Sequence, residues 1–152
     1  MQRNRQSGVT LIEMLIVAMI IAVIAGISFP SLTSGLSSIR LSSAAGSTAS
    51  FLTAAMNTVE RTENAAAVVI SPKDNQIEVF TAVSGEKPVK TLAMPQGIKV
   101  DGNEEQRFVL EPGGTFPRIT VFLRSDKGAR RSVKVDPATG VPDIQRVSGD
   151  AK

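Results

Sequence analysis

Gly8-Val9-Thr10-Leu11-Ile12-Glu13 leads directly into an apolar run over residues 14–29, and this stretch decides how the whole chain is organised. From residue 11 to residue 29 the plainly polar side chains are those of Glu13 and Ser28. A helix over these positions is roughly 28 Å long, about the thickness of the hydrocarbon core of a bilayer. We therefore predict a membrane-spanning helix over residues 9–30.

A small residue stands before this apolar run rather than after it. Gly8 follows a basic leader that contains Arg3 and Arg5, whereas a secretory signal peptide has its small-residue cleavage site beyond a shorter apolar core. The sequence therefore predicts a cut on the cytoplasmic side of the span. The leader arginines orient the helix with its N-terminus inside, so the chain beyond the span should lie across the membrane.

Glu13 places a carboxylate inside the apolar helix, where an unpaired charge costs on the order of 3 kcal/mol. Cleavage after Gly8 would create an amino group on Val9, one helical turn from Glu13. Subunits packed side by side could then pair Glu13 of one chain with the amino terminus of the next, which would fix their stagger. The alternative is a single-pass anchor whose Glu13 carboxylate snorkels to the headgroups.

Together these residues resemble the class III leader of type IV pilins and type II secretion pseudopilins. The matching positions are Gly8 before the cut, Thr10, Leu11, Ile12, Glu13 as the fifth mature residue and Pro30 as the twenty-second. The resemblance implies that residues 1–8 are removed by a prepilin peptidase, that Val9 is N-methylated, and that Thr10, Leu11, Ile12 and Glu13 serve assembly. It also implies an α+β type IV pilin-like fold, a long N-terminal helix packed against a C-terminal antiparallel β domain.

We predict one helix from about residue 9 to residue 62. Residues 31–64 form its amphipathic stem, because apolar residues recur there at helical spacing. The stripe of Leu52, Met56 and Val59 should hold the β domain against the stem, and Pro30 should kink the helix. The alternative is a helix that ends at Phe29, followed by a disordered serine-rich linker to about Ser50.

The β-rich globular domain is predicted over residues 65–152, where the hydrophobic period becomes that of strands. About seven short strands are expected, near residues 67–70, 77–81, 89–93, 98–100, 108–110, 119–124 and 132–135. Residues 136–140 fit a hairpin turn opened by Pro137, with Gly140 at positive φ. We expect the polar residues 146–152 to be frayed.

The C-terminal half resembles one branch of the same family, the H-type minor pseudopilins and FimT-like pilins. The residues that carry this resemblance are Phe108, Pro112-Gly113, Arg130-Arg131 and Pro137-Ala138-Thr139-Gly140.

Composition removes several kinds of chemistry. The chain has 152 residues without Cys or His, so it lacks thiol nucleophiles, imidazole bases and the usual zinc ligands. No phosphate-binding loop or nucleophile elbow is found in the sequence. We expect neither enzymatic activity nor a cofactor. Removal of Arg3 and Arg5 with the leader leaves 15 basic and 14 acidic residues, a net charge of +1 that indicates little about partners.

A basic stretch near the C-terminus could contact phosphates. Its cations are Arg124, Lys127, Arg130, Arg131 and Lys134, against one acid, Asp126. FimT-like pilins include DNA-binding members with a Gly-Arg-x-Arg pattern. Here residues 128–131 read Gly-Ala-Arg-Arg, and the chain has no Trp or Tyr for base stacking. We favour a solvated sheet edge that discourages strand pairing, with DNA binding as the alternative.

Acidic residues offer two weaker candidates. Asp136, Asp143 and Asp150 are spaced too widely for a compact calcium cage, and Asp136 is better explained as a turn initiator. Glu104 and Glu105 lie in a predicted loop and are interpreted as solvated charges.

The sequence therefore favours an H-type minor pseudopilin of a type II secretion system. Such a chain is inserted in the inner membrane, with its β domain in the periplasm. Its partners would be a prepilin peptidase, the inner-membrane assembly platform, lipid and other pseudopilins. One alternative is a minor pilin of a type IV pilus, with DNA uptake as a possible role; the other is a membrane-anchored binding protein that does not polymerise.

Overall fold

The structure, a computed structural model, describes residues 9–81 and 87–147, without the side chains of residues 27–34. One α-helix, α1, runs over Leu11–Thr62. The alternative of a helix that ends at Phe29 is therefore wrong, because the Ser- and Ala-rich stretch beyond it is helical. The helix stops just before Glu63, whose φ of 53° is left-handed. The chain divides into two compact units, Met1–Leu36 and Ser37–Lys152.

The second unit contains eight strands in two antiparallel sheets. Their bounds are β1 Ala66–Ser71, β2 Gln76–Phe80, β3 Lys90–Ala93, β4 Ile98–Asp101, β5 Gln106–Leu110, β6 Thr120–Ser125, β7 Arg130–Val135 and β8 Pro142–Val147. The first sheet, sheet A, has the order β3-β2-β1-β5, and the second, sheet B, has the order β4-β6-β7-β8. The predicted antiparallel β domain is confirmed.

The core of this unit forms between the stem of α1 and one face of each sheet. Leu52, Met56 and Val59 are 1–3 % exposed and belong to one cluster with residues of both sheets. The predicted anchoring stripe is therefore confirmed. Small residues such as Ala44 and Ala45, which are also buried, let the strands approach the helix closely. Each fully buried Leu or Val contributes about 1.5–3 kcal/mol of hydrophobic free energy.

Strand β8 is the element that the sequence pattern missed. It pairs with β7 from Arg130 opposite Val147 to Val135 opposite Pro142. The expectation that residues 146–152 are frayed is thus wrong for Arg146 and Val147, while residues 148–152 lie outside the described part of the chain. The turn before β8 forms as predicted, since Gly140 has a φ of 68° and its N–H donates to the Asp136 carbonyl at 2.8 Å.

Asn75 joins the two sheets. This residue lies in the β1–β2 turn with a φ of 57°. Its Nδ2 donates to the Ile98 carbonyl at 2.9 Å, and its Oδ1 accepts from the Val100 N–H at 2.8 Å. One side chain of a sheet A turn therefore satisfies two backbone groups of β4, an edge strand of sheet B.

Candidate functional site

The first candidate region is the start of α1. Thr10 Oγ1 accepts a hydrogen bond from the Glu13 N–H at 3.3 Å, and the Thr10 carbonyl accepts from the N–H groups of Glu13 at 3.1 Å and Met14 at 3.3 Å. Thr10 is thus the N-cap, with Glu13 three residues later as in a capping box. A carboxylate in the first turn is also favoured by the helix dipole. Helix capping therefore gives Glu13 a local reason to occupy this position.

The helix surface beyond this cap is apolar and uncovered. Side chains from Leu11 to Ile24 are exposed by between 46 % at Val17 and 83 % at Leu11. A contiguous apolar surface of this kind marks a place of interaction with other molecules.

No helix among the residues described with their side chains combines the length and hydropathy of a membrane span. The span predicted over residues 9–30 stays a prediction. The cleavage position Gly8 falls outside the described residues, and the kink expected at Pro30 stays a prediction. The pairing of Glu13 with the Val9 amine of a neighbour and the roles of Thr10, Leu11 and Ile12 in assembly also stay predictions.

The second candidate region is the basic stretch. Arg124 belongs to β6, whereas Arg130, Arg131 and Lys134 belong to β7, and Lys127 lies in the turn between them. Both strands are interior strands of sheet B. The interpretation of this stretch as a solvated edge is therefore wrong, because β8 pairs along the far side of β7.

The cations of this stretch do not share one surface. Residues directly opposite each other in a sheet point to the same face. Arg124 is opposite Arg130, whereas Arg131 is opposite Leu123, a core residue. Arg131 is therefore on the core side of the sheet. The solvent-facing side of sheet B, called the outer face here, carries Lys99, Asp101, Phe122, Arg124, Arg130 and Lys134.

Asp101 and Phe122 add a negative charge and an exposed aromatic ring to this face. The Asp101 carboxylate lies between two guanidinium groups, 3.8 Å from Arg124 Nε and 3.4 Å from Arg130 Nε. Phe122, directly opposite Asp101, is 41 % exposed. Exposed ion pairs like these contribute little stability, so their main effect is on the charge pattern of the surface.

A cavity of about 280 Å³ opens beside these cations. It is lined by Gly97, Lys99, Arg124, Ser125, Asp126 and Gly128. The Asp126 N–H donates to the Gly97 carbonyl at 2.9 Å, and Ser125 Oγ accepts from the Ala129 N–H at 3.1 Å. These bonds fix the turn between β6 and β7 that forms one wall. The cavity can therefore present Lys99 and Arg124 to an anionic group.

Comparison with known proteins gives one match at the N-terminus and one match of the fold. The model of the prokaryotic N-terminal methylation motif matches residues 3–29. The crystal structure of the type IV minor pilin FimU from Pseudomonas aeruginosa strain PAO1 superposes with a TM-score of 0.52 at 16 % identity. The match covers 71 % of this chain and 88 % of that one.

The fold is that of a type IV pilin. A search of curated proteins returned no match. The matched range includes Gly8, Val9 and Glu13, so the predicted resemblance of the N-terminus is confirmed, whereas the cut after Gly8 and the methylation of Val9 stay predictions. At 16 % identity the structural match bears on the pilin-like fold alone.

The acidic candidates have structural explanations in this pilin-like domain. Asp136 Oδ1 accepts from the Ala138 N–H at 2.8 Å, as expected of a turn initiator. Asp143 lies in β8, and Asp150 is outside the described residues. Glu105 accepts a hydrogen bond from the buried Ser71 at 3.1 Å, so it is not simply solvated. Within the described ranges, no group of three acidic side chains could hold a metal ion.

Sequence reasoning missed Lys99, Asp101 and Phe122 as members of the basic surface. Lys99 and Asp101 lie more than twenty positions before Arg124, and only the pairing of β4 with β6 brings them together. The available signal was the alternation of Lys99 and Asp101 with the apolar residues Ile98 and Val100. That alternation predicts that Lys99 and Asp101 share one face of their strand, but it does not predict which strand lies beside it.

Proposed function

We propose that this chain is a structural, non-enzymatic subunit of a pilin-like filament, and specifically an H-type minor pseudopilin of a type II secretion system. It is inserted in the inner membrane with its N-terminus inside and its β domain in the periplasm. A prepilin peptidase cuts between Gly8 and Val9 and methylates Val9. The assembly platform then adds the subunit to a filament with other pseudopilins.

One observation carries the proposal. An N-terminal methylation motif leads into a capped helix whose described side chains over residues 11–26 form an apolar surface with one exposed acid, Glu13. One face of the second part of the same helix is buried against its own β domain. This division supports a mechanical role, in which the first part packs among other helices and the domain supplies specific contacts at the filament surface.

Replacing Glu13 tests the filament role. Glu13→Ala should leave the chain processed and folded but lower its incorporation into filaments by at least about tenfold, the effect of losing one ion pair in an apolar environment. Incorporation is measured by cross-linking to the other subunits in the native host. Glu60→Ala is the matched control, because Glu60 is an acid of the same helix that accepts from the Gly113 N–H in the second unit. A membrane-anchored protein that does not polymerise would show no difference between the two variants.

The type IV pilus is the second candidate, since FimU, whose fold this chain shares, is a type IV minor pilin. Deleting the gene in its native host separates the two functions. A pseudopilin predicts loss of protein secretion with pili intact, whereas a minor pilin predicts the reverse. DNA uptake in the deletion strain belongs to the pilus alternative, and DNA binding by Arg124, Lys127, Arg130, Arg131 and Lys134 remains part of that alternative.

A further inference from the structure

Three cations stand in one row across sheet B. Lys99 of β4 is directly opposite Arg124 of β6, and Arg124 is directly opposite Arg130 of β7. Like charges at directly opposed positions destabilise a sheet, because their Cβ atoms are only about 5 Å apart. The row therefore opposes folding unless anions lie beside it.

The Asp101 carboxylate partly offsets the repulsion among these cations. Asp101 bridges Arg124 and Arg130, with N–O distances of 3.8 and 3.4 Å. Lys99 is exposed and has no ion-pair partner among the described residues. Asp101 offsets one of the three positive charges of the row, and one of the two that remain is that of Lys99.

The cavity of about 280 Å³ lies at the Lys99 end of the row, with Lys99 and Arg124 in its lining. Asp126 is in the same lining, so the cavity carries two positive charges and one negative. This balance suits one carboxylate better than a chain of phosphates. A polyanion laid along the face would also meet Asp101, and Asp143 opposite Lys134.

Phe122 supplies an apolar contact in the row beside the cations. Phe122 is 41 % exposed and lies between Asp101 and Ser132, the residues directly opposite it on the two neighbouring strands. Phenylalanine and arginine are enriched at the cores of protein interfaces, where one aromatic anchor often contributes much of the affinity. A short peptide segment could therefore contact Phe122 and the neighbouring cations at the same time.

We propose that the outer face of sheet B binds an acidic segment of a partner protein. A carboxylate of the segment enters the cavity against Lys99 and Arg124, and an adjacent apolar side chain packs on Phe122. The inference rests on the proposed function only for the identity of the partner, a neighbouring filament subunit.

Peptide binding to the full-length chain in uncharged detergent micelles tests this face. The probe is a fluorescent peptide of alternating glutamate and leucine, followed by anisotropy at low salt. Lys99→Gln should weaken binding by about tenfold, as expected when one charge-assisted contact is lost. Lys73→Gln, an exposed lysine of the β1–β2 turn, removes the same charge elsewhere and should leave binding unchanged.

Thermal unfolding of the same variants separates binding from folding. Because Lys99 opposes Arg124, Lys99→Gln should hold or raise the unfolding midpoint while binding falls. A lowered midpoint would overturn the proposal, as would a peptide that does not bind or an equal loss with Lys73→Gln. The proposal would also be overturned if duplex DNA displaced the labelled peptide at a lower concentration than unlabelled peptide does. That result would mean that the face binds nucleic acid instead. If the peptide does not bind but filament incorporation does depend on Glu13, the proposed function stands and the proposal that the outer face binds an acidic segment is wrong.

Discussion

Gly140 occupies a position in the β7–β8 turn that has no room for a side chain. Its φ is 68°, in the left-handed region, and a Cβ built there would lie 2.6 Å from Phe116 Cε2. Gly113 provides a contrast, since its φ is 65° but nothing among the described atoms lies within 4 Å of its Cβ position. The two glycines therefore separate backbone strain from steric overlap.

Gly140→Ala should lower the free energy of unfolding by about 3 kcal/mol, from strain and overlap together. Gly113→Ala should lower it by only about 1 kcal/mol, from strain alone. Urea unfolding of the full-length chain in uncharged micelles, followed by circular dichroism, measures both. Equal losses would mean that Phe116 moves aside freely and that the turn is less tightly packed than described.

Single residues differ in how far the sequence predicts their roles. The pattern Asp-Pro-x-Thr-Gly predicts positive φ at Gly140, because this is a local property of the turn. Asn75 shows the limit, since the sequence predicts a turn there but not its two hydrogen bonds to β4. Those bonds depend on how the two sheets pack against each other. The local sequence pattern contains no information about the distance between the Asn75 turn and β4.

At the scale of elements, the part of α1 in the second unit has one packed face and one exposed face. Leu52 is 1 % exposed in the core, whereas Ile39 is 66 % exposed on the same helix within the second unit. Leu52→Ala should lower the free energy of unfolding by about 3 kcal/mol, through lost burial and a residual cavity. Ile39→Ala should change it by less than about 0.5 kcal/mol. Chemical denaturation measures the pair, and similar losses would show that the stem buries a different face.

Strands were predicted where apolar residues alternate, and β8 was missed because its residues do not. Its sequence, Pro-Asp-Ile-Gln-Arg-Val over residues 142–147, leaves most side chains exposed at the edge of sheet B. A sheet that lacked β8 would leave the basic residues of β7 at its edge. The edge interpretation of the basic stretch is therefore wrong because β8 is not predicted. A strand at the edge of a sheet pairs with one neighbouring strand, whereas an interior strand pairs with two.

At the scale of the whole molecule, the pilin-like fold was predictable because its strongest signal is local. The residues around Gly8 and Glu13 carry the methylation motif, and the change of hydrophobic period near residue 65 separates helix from strands. The division of eight strands into two sheets was not predictable, because strand order depends on contacts between distant segments. The outer face of sheet B depends on the same contacts.

Mass spectrometry of the N-terminal peptide tests the central claim, a subunit matured for assembly through Val9 and Glu13. The chain should be purified from membranes of its native host, where the prepilin peptidase is active. The account predicts a peptide that begins with N-methylated Val9, and the same host without the peptidase should yield the uncut chain. A peptide that retains residues 1–8 in the host with active peptidase would contradict the account.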